Sequence, residues 1–221
     1  MTPMKKNTAG HLARLCLASA LLSSSGARAD CAGDFARDNA FKPEAGAVRI
    51  LERKLPMSLL DDGRWVPTLK QETVNTVSEL VPPNAVRISS DALIGMVGLV
   101  VLGDKGWIQD GRDSPWEALD AAQSKEVAAG AFKTYLNTDG MSDLTCSKQE
   151  RDGKPVRVYR YKTPGDGFSS SISTATAYFD DVTGLLLGAD IEGSLKKSKV
   201  TQTLTVTFDG AIRIQTPEGI D

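Results

Sequence analysis

Side chains that carry most enzyme chemistry are scarce in this sequence, and where they occur their spacing is wrong for it. The one histidine, His11, lies in the N-terminal stretch that reads below as a targeting segment. Downstream of it no imidazole is left for a Ser-His or Cys-His mechanism, and the commonest zinc ligand is missing. Ser194-Leu195-Lys196-Lys197 has the S-x-x-K spacing of some acyl enzymes, yet no S-D-N or K-T-G partner accompanies it, and it falls where a hairpin turn is expected. Residues 98–105 mimic part of a phosphate loop but lack the Gly-Lys-Ser/Thr ending. Asp61-Asp62 and Asp180-Asp181 are paired acids that could move protons or hold calcium. Each pair sits close to a glycine in turn-like sequence, where Asp serves backbone geometry. These patterns assign no catalytic residue, metal ligand or cofactor, and an enzyme is not expected.

Thiol chemistry depends on compartment, which the N-terminus addresses. Lys5, Lys6 and Arg14 precede a short apolar run at residues 15–22, and Ala27-Arg28-Ala29 has the A-x-A form of a cleavage site. About eight apolar residues fall far short of the roughly 20 that span a bilayer. The expectation is a signal peptide over 1–29, cleaved after Ala29, and a soluble periplasmic domain over 30–221. Neither Cys16 nor Cys31 follows a lipidation box, so no lipid anchor is expected. In an oxidising compartment the remaining pair, Cys31 and Cys146, is expected to bridge, with two free thiols as the alternative.

The segment holds four of the 26 Lys and Arg and none of the 28 Asp and Glu, so the 192 residues after it carry a net charge of −6. An acidic domain is a poor partner for nucleic acid or for anionic lipid headgroups, which bind through basic patches. Trp107 and Trp116 bracket a charged loop. They read either as core anchors at a sheet-to-helix junction or as the rim of an apolar pocket.

Around these residues the chain is mostly strand. From Val200 to Ile214 apolar Val200, Leu204, Val206, Phe208, Ile212 and Ile214 alternate with Thr201, Thr203, Thr205, Thr207, Asp209 and Arg213, which predicts one long half-buried strand with a possible kink at Asp209-Gly210. Further strands are predicted over 69–80, 86–89, 96–102, 144–150, 156–162, 172–179 and 185–191, with turns rich in Gly, Pro and Asp between them. Such spacing implies antiparallel hairpins. Two helices are predicted to cover the sheet. One runs over 34–55, with Val48, Leu51 and Leu55 on a stripe; the other runs over 114–136, opened by the capping box Ser114-Pro115-Trp116-Glu117.

Four short motifs in order, Pro83-Asn84-Ala85-Val86-Arg87, Gly103-Asp104-Lys105-Gly106-Trp107, Asp180-x-x-Thr183-Gly184-Leu185 and Phe208-Asp209-Gly210-Ala211-Ile212-Arg213-Ile214-x-x-Pro217, resemble the periplasmic LolA-like lipoprotein-carrier superfamily. The resemblance implies an α+β fold, an open antiparallel half-barrel with helices over its concave face and an apolar cavity for acyl chains. It also implies transport or sensing of a lipid or lipidated protein, handed between envelope donor and acceptor proteins, without catalysis. One position departs: the arginine that precedes the first motif's proline in the lipoprotein carrier is Pro82 here, so no arginine latch is implied at that place.

Together these readings predict a container. Its lining is expected from Leu185, Leu187, Ile191, Leu204, Val206 and Phe208 on strands, Met96 and Trp107 near the mouth, and Phe132 on a covering helix. The alternative is an envelope module that binds or senses a protein through its outer face or the Trp107–Trp116 loop, without lipid transport.

Overall fold

The computed structural model describes residues 30–68, 73–92, 95–164, 172–195 and 198–220. The N-terminal stretch 1–29 expected to be a targeting segment, with His11, and Lys196-Lys197 of the S-x-x-K stretch lie outside them. The chain opens with helix α1 (Cys31–Asn39) and a 3-10 turn at Pro43–Ala45. Strands β1 (Val48–Leu59), β2 (Trp65–Pro67), β3 (Val74–Val81), β4 (Ala85–Ser90), β5 (Met96–Leu102), β6 (Lys105–Asp110) and β7 (Glu117–Leu119) follow. After helix α2 (Ala121–Ala131) come β8 (Ser142–Arg151), β9 (Lys154–Pro164), β10 (Ile172–Asp180), β11 (Leu186–Leu195) and β12 (Ser198–Phe208).

Among the described residues the twelve strands belong to one antiparallel sheet in the order β7-β6-β5-β4-β3-β1-β12-β11-β10-β9-β8, with β2 paired to β1. The sheet is not closed, because its end strands β7 and β8 do not pair with each other. β12 lies mid-sheet between β1 and β11, joining the N-terminal hairpins to the C-terminal ones. Along it Leu204, Val206 and Phe208 are half-buried while Thr203, Thr205 and Thr207 are exposed. The alternation read from the sequence is therefore real, but the strand ends at Phe208. Asp209 turns the chain by accepting the Ala211 N–H, and Ile212 is buried outside any strand.

Both predicted helices are corrected. Within 34–55 only 34–39 is helical: Ala40 is extended and bridges to Thr134, and a separate 3-10 turn that Pro43 opens and Gly46 (φ 83°) closes leads into Val48. The Val48, Leu51, Leu55 stripe belongs instead to β1, which is held on both sides, Val48 facing Phe208 of β12 and Leu80 of β3. The second helix starts at a different cap: Asp120 accepts the Gln123 N–H at 2.8 Å and Gln123 returns a bond to the Asp120 N–H at 3.0 Å. Residues 117–119, expected in its first turns, form the edge strand β7, and the helix ends at Phe132.

Register sorts the side chains onto two faces, since residues directly opposite on antiparallel strands share a side. Phe208, Val48, Leu80, Val86, Val101, Gly106 and Leu119 make one continuous row on the helix-bearing side. On the outer side Arg49, Glu79, Arg87, Val100 and Trp107 make the matching row. There the carboxylate of Glu79, only 2% exposed, is clasped at 2.6 Å by both Arg49 and Arg87.

Candidate functional site

The helix-bearing side of the sheet is occupied differently at its two ends. At the β8–β11 end, α1 lays Phe35 against Tyr159, Tyr161 and Phe179, with ring centroids 4.8, 5.1 and 6.1 Å away. These rings fill the space, so this end is solid. Two further devices fix α1. Cys31, its first residue, is bonded to Cys146 on β8 with a Cα separation of 5.8 Å, inside the usual disulfide span. Near its last turn the buried Asp38 accepts the Tyr159 hydroxyl at 2.7 Å and pairs with Arg157 at 2.8 Å. Lys42 donates to the Asp38 and Gly184 carbonyls, which draws in the β10–β11 turn.

Asn39 ties this assembly to the chain leaving α2. Its amide donates to the Leu136 carbonyl and its carbonyl oxygen accepts the Leu136 N–H, each at 2.9 Å. Phe41 then meets Phe132 edge-on at 4.9 Å and Tyr135 at 5.3 Å, closing the middle of the face.

At the β4–β7 end the covering is thinner. Helix α2 buries only Ser124 and Ala128, and it approaches β6 where Gly106 presents no side chain: a Cβ there would stand 2.5 Å from Ser124 Oγ. Beside this seam runs an open groove of about 560 Å³, lined by Ile88, Ile108, Leu119, Val127, Gly130 and Ala131 with Gln123 and Glu126. Its volume lies within the range of small-ligand sites, and its walls are mostly apolar. Ile88, Ile108, Leu119, Val127 and Ala131 are half-buried, in contact with the core yet partly open to solvent.

Of the residues expected to line a cavity, Phe132, Ile191, Leu204, Val206 and Phe208 are half-buried and packed on the core from the helix side. The other four are placed elsewhere. Trp107 faces the outer side, because its register partner is Val100 while its neighbour Ile108 takes the inward place opposite Leu99. Met96, at the start of β5 beside a register shift, is 40% exposed. Leu185 sits in the turn before β11, where its carbonyl accepts the Asp180 N–H. Leu187 is displaced by the irregularity between β10 and β11, so that Leu186 is buried in its stead and Leu187 lines an outer depression with Arg151, Tyr178 and Thr205. The groove residues that sequence reading missed were within reach. Strand 86–89 puts Val86 and Ile88 on one face, and Val127 and Ala131, four residues apart within the helix predicted over 114–136, share one side of it.

The paired acids hold the backbone and neighbouring cations. Asp180 accepts the Val182 and Thr183 N–H groups and the Thr183 hydroxyl, which keep its carboxyl below the usual range. Asp181 pairs with Lys148 at 2.8 Å and Arg157 at 3.1 Å, and Asp62 with Arg64 at 2.8 Å. Among the described residues no group of three or more His, Cys, Asp or Glu is placed to hold a metal ion. No described helix is long and apolar enough to cross a membrane.

No protein-family model matches the chain, and no curated protein matches it. Among solved structures it is similar to MucB in complex with MucA(peri), at 12% identity over 83% of this chain and 95% of that one, with a TM-score of 0.16. It is also similar to an outer membrane lipoprotein-sorting protein domain from Vibrio parahaemolyticus, at 8% identity over 83% of this chain and 92% of that one, with a TM-score of 0.31. A LolA superfamily protein from Nitrosomonas europaea, named for the superfamily whose motifs the sequence resembles, matches at 12% identity over 80% of this chain and 91% of that one, with a TM-score of 0.30.

Proposed function

We propose that this chain is a soluble periplasmic carrier or chaperone that binds a lipid or an acylated ligand and does no chemistry on it. The observation that carries this reading is the apolar groove beside α2, which is continuous with half-buried aliphatic side chains on the same face of an open sheet. The open sheet then acts as a half-barrel, and the cargo is received from one envelope protein and released to another. A hydrocarbon chain settling there gains about 0.8 kcal/mol for each methylene removed from water, enough for micromolar affinity after ordering costs. Native mass spectrometry of protein exported in cells and gently extracted tests the proposal. A co-purified lipid, or displacement of a fluorescent fatty-acid probe, is expected; lipid-free protein that refuses such probes sinks it.

A second reading, docking of an envelope protein, is favoured by the outer face, where half-exposed Arg49 and Arg87 lie in one row with Trp107. A partner whose release requires Trp107 and Trp116, with no lipid retained, would support this reading over the first.

A further inference from the structure

The cargo class can be narrowed further, in a step that rests on the carrier reading above. We infer that the cargo is an amphiphile whose polar head carries both a positive and a negative charge, with its chain in the α2 groove and its head over Glu52 and Lys54. The helix-bearing face changes character row by row across β12, β1, β3 and β4. Phe208, Val48, Leu80 and Val86 form a wholly apolar row. Val206, Ile50, Ser78 and Ile88 form the next, with one hydroxyl. Leu204, Glu52, Thr76 and Ser90 follow, and then Gln202, Lys54 and Val74. Successive rows are about 7 Å apart and neighbouring strands about 4.8 Å apart, so Glu52 stands on the order of 12 Å from Ile88 at the groove wall. An amphiphile lying along the face would cross from hydrocarbon-like to polar surface within its own length.

The charges at the polar end specify the head. Glu52 and Lys54 are 3.5 Å apart, with side chains 27% and 46% exposed. A pair this open contributes little to stability, so both members can change partners at small cost. An ammonium would take Glu52, and a phosphate or carboxylate two residues along the strand would take Lys54. The Thr76 and Ser90 hydroxyls, 3.4 Å apart, add donors and acceptors in the same row. A purely anionic head would meet Glu52 unpaired, and Glu126 on the groove rim adds a second negative charge. A purely cationic head would leave Lys54 facing it.

The test compares three single-chain amphiphiles of one chain length, each below its micelle concentration: lysophosphatidylethanolamine, lysophosphatidylglycerol and an alkyltrimethylammonium. Displacement of a fluorescent fatty-acid probe from the full exported protein gives the affinities. The zwitterion is expected to bind about tenfold tighter than either singly charged lipid, the equivalent of one well-placed charge contact. Glu52→Gln is expected to shift the preference toward the anion, Lys54→Gln toward the cation, and the double variant to bind all three within about threefold. Thermal melts should not move, since both groups are partly exposed. Equal binding of the three by the unmodified protein, or a preference that survives in the double variant, overturns the inference and leaves the carrier reading standing. Failure of all three to bind overturns both.

Discussion

Arg157 on β9 holds Asp38 on α1 at 2.8 Å across the interior, and the same Asp38 carboxylate oxygen accepts the Tyr159 hydroxyl at 2.7 Å. Two residues of one strand, one on each side of Val158, thus converge on a single helix residue 2% exposed. Arg157 is anchored from behind by Asp181, which is itself paired with Lys148. The helix, the β9 strand and the turn after β10 are locked by this cluster, on a segment where the sequence offered only a helix over 34–55.

Removing the charge from Asp38 should therefore loosen α1 more than a surface change would. Asp38→Asn leaves Arg157 with Asp181 alone and costs about 2–4 kcal/mol, because breaking a buried pair strands the remaining charge. Urea unfolding should show a lower midpoint at an unchanged slope. A variant as stable as the parent would mean that Arg157 is satisfied without Asp38.

The disulfide fixes the other end of the same helix. It closes 115 residues, for which the chain-entropy model gives about 4–5 kcal/mol as an upper figure. Cys31→Ser with Cys146→Ser should lose at least about 2 kcal/mol in the same unfolding measurement. Thiol labelling of the native protein, prepared without reductant, should fail until reductant is added. Ready labelling would remove the bridge from this account.

All four tyrosines resist ionisation in the folded chain. Burial pushes Tyr161 up to about 12, and burial followed by the bond to Asp38 raises Tyr159 as well. Burial is also the first cause for Tyr135 and for Tyr178, whose hydroxyl bonds Asp190. A folded-state value above the unfolded value of about 10 means that the native protein keeps protons the unfolded chain would release. Stability from this source is whole below about pH 10 and drains away as pH climbs toward 12, by about 2 kcal/mol for Tyr161. An ultraviolet titration at about pH 10.5 should show much less phenolate in native than in urea-unfolded protein. Tyr161→Phe should flatten the decline of stability in that window.

What the sequence made legible follows from how many neighbours decide each residue. β12 was readable because its Thr and aliphatic residues alternate cleanly and both flanking strands agree with that alternation. β1 was not: Glu52, Arg53 and Lys54 favour a helix locally, and Val48, Leu51 and Leu55 have helical spacing by coincidence. Pairing with β12 and β3 overrides this, through partners more than 140 and about 30 residues away. Leu187 and Trp107 were misplaced for a related reason, since an irregularity in β11 and the register of β6 set their sides and neither has a local signature. The disulfide was accessible because the oxidising compartment expected from the N-terminal stretch predicts it without any geometry.

The groove and the outer face make opposite predictions for cargo, and two substitutions separate them. Val127 is half-buried on α2 and lines the groove, so Val127→Arg would place a cation where a hydrocarbon chain is proposed to lie. Arginine is a strong helix former, and its long stem can carry the charge toward water, so the fold should be retained. Affinity for a fluorescent fatty-acid probe should fall by at least about tenfold, with the melting temperature nearly unchanged. Trp107 lies on the far side of the sheet opposite Val100, so Trp107→Ala should lower stability through lost packing while probe affinity stays the same. If Trp107→Ala releases the probe and Val127→Arg does not, the hydrocarbon is held on the outer face and the groove beside α2 is only a seam between helix and sheet.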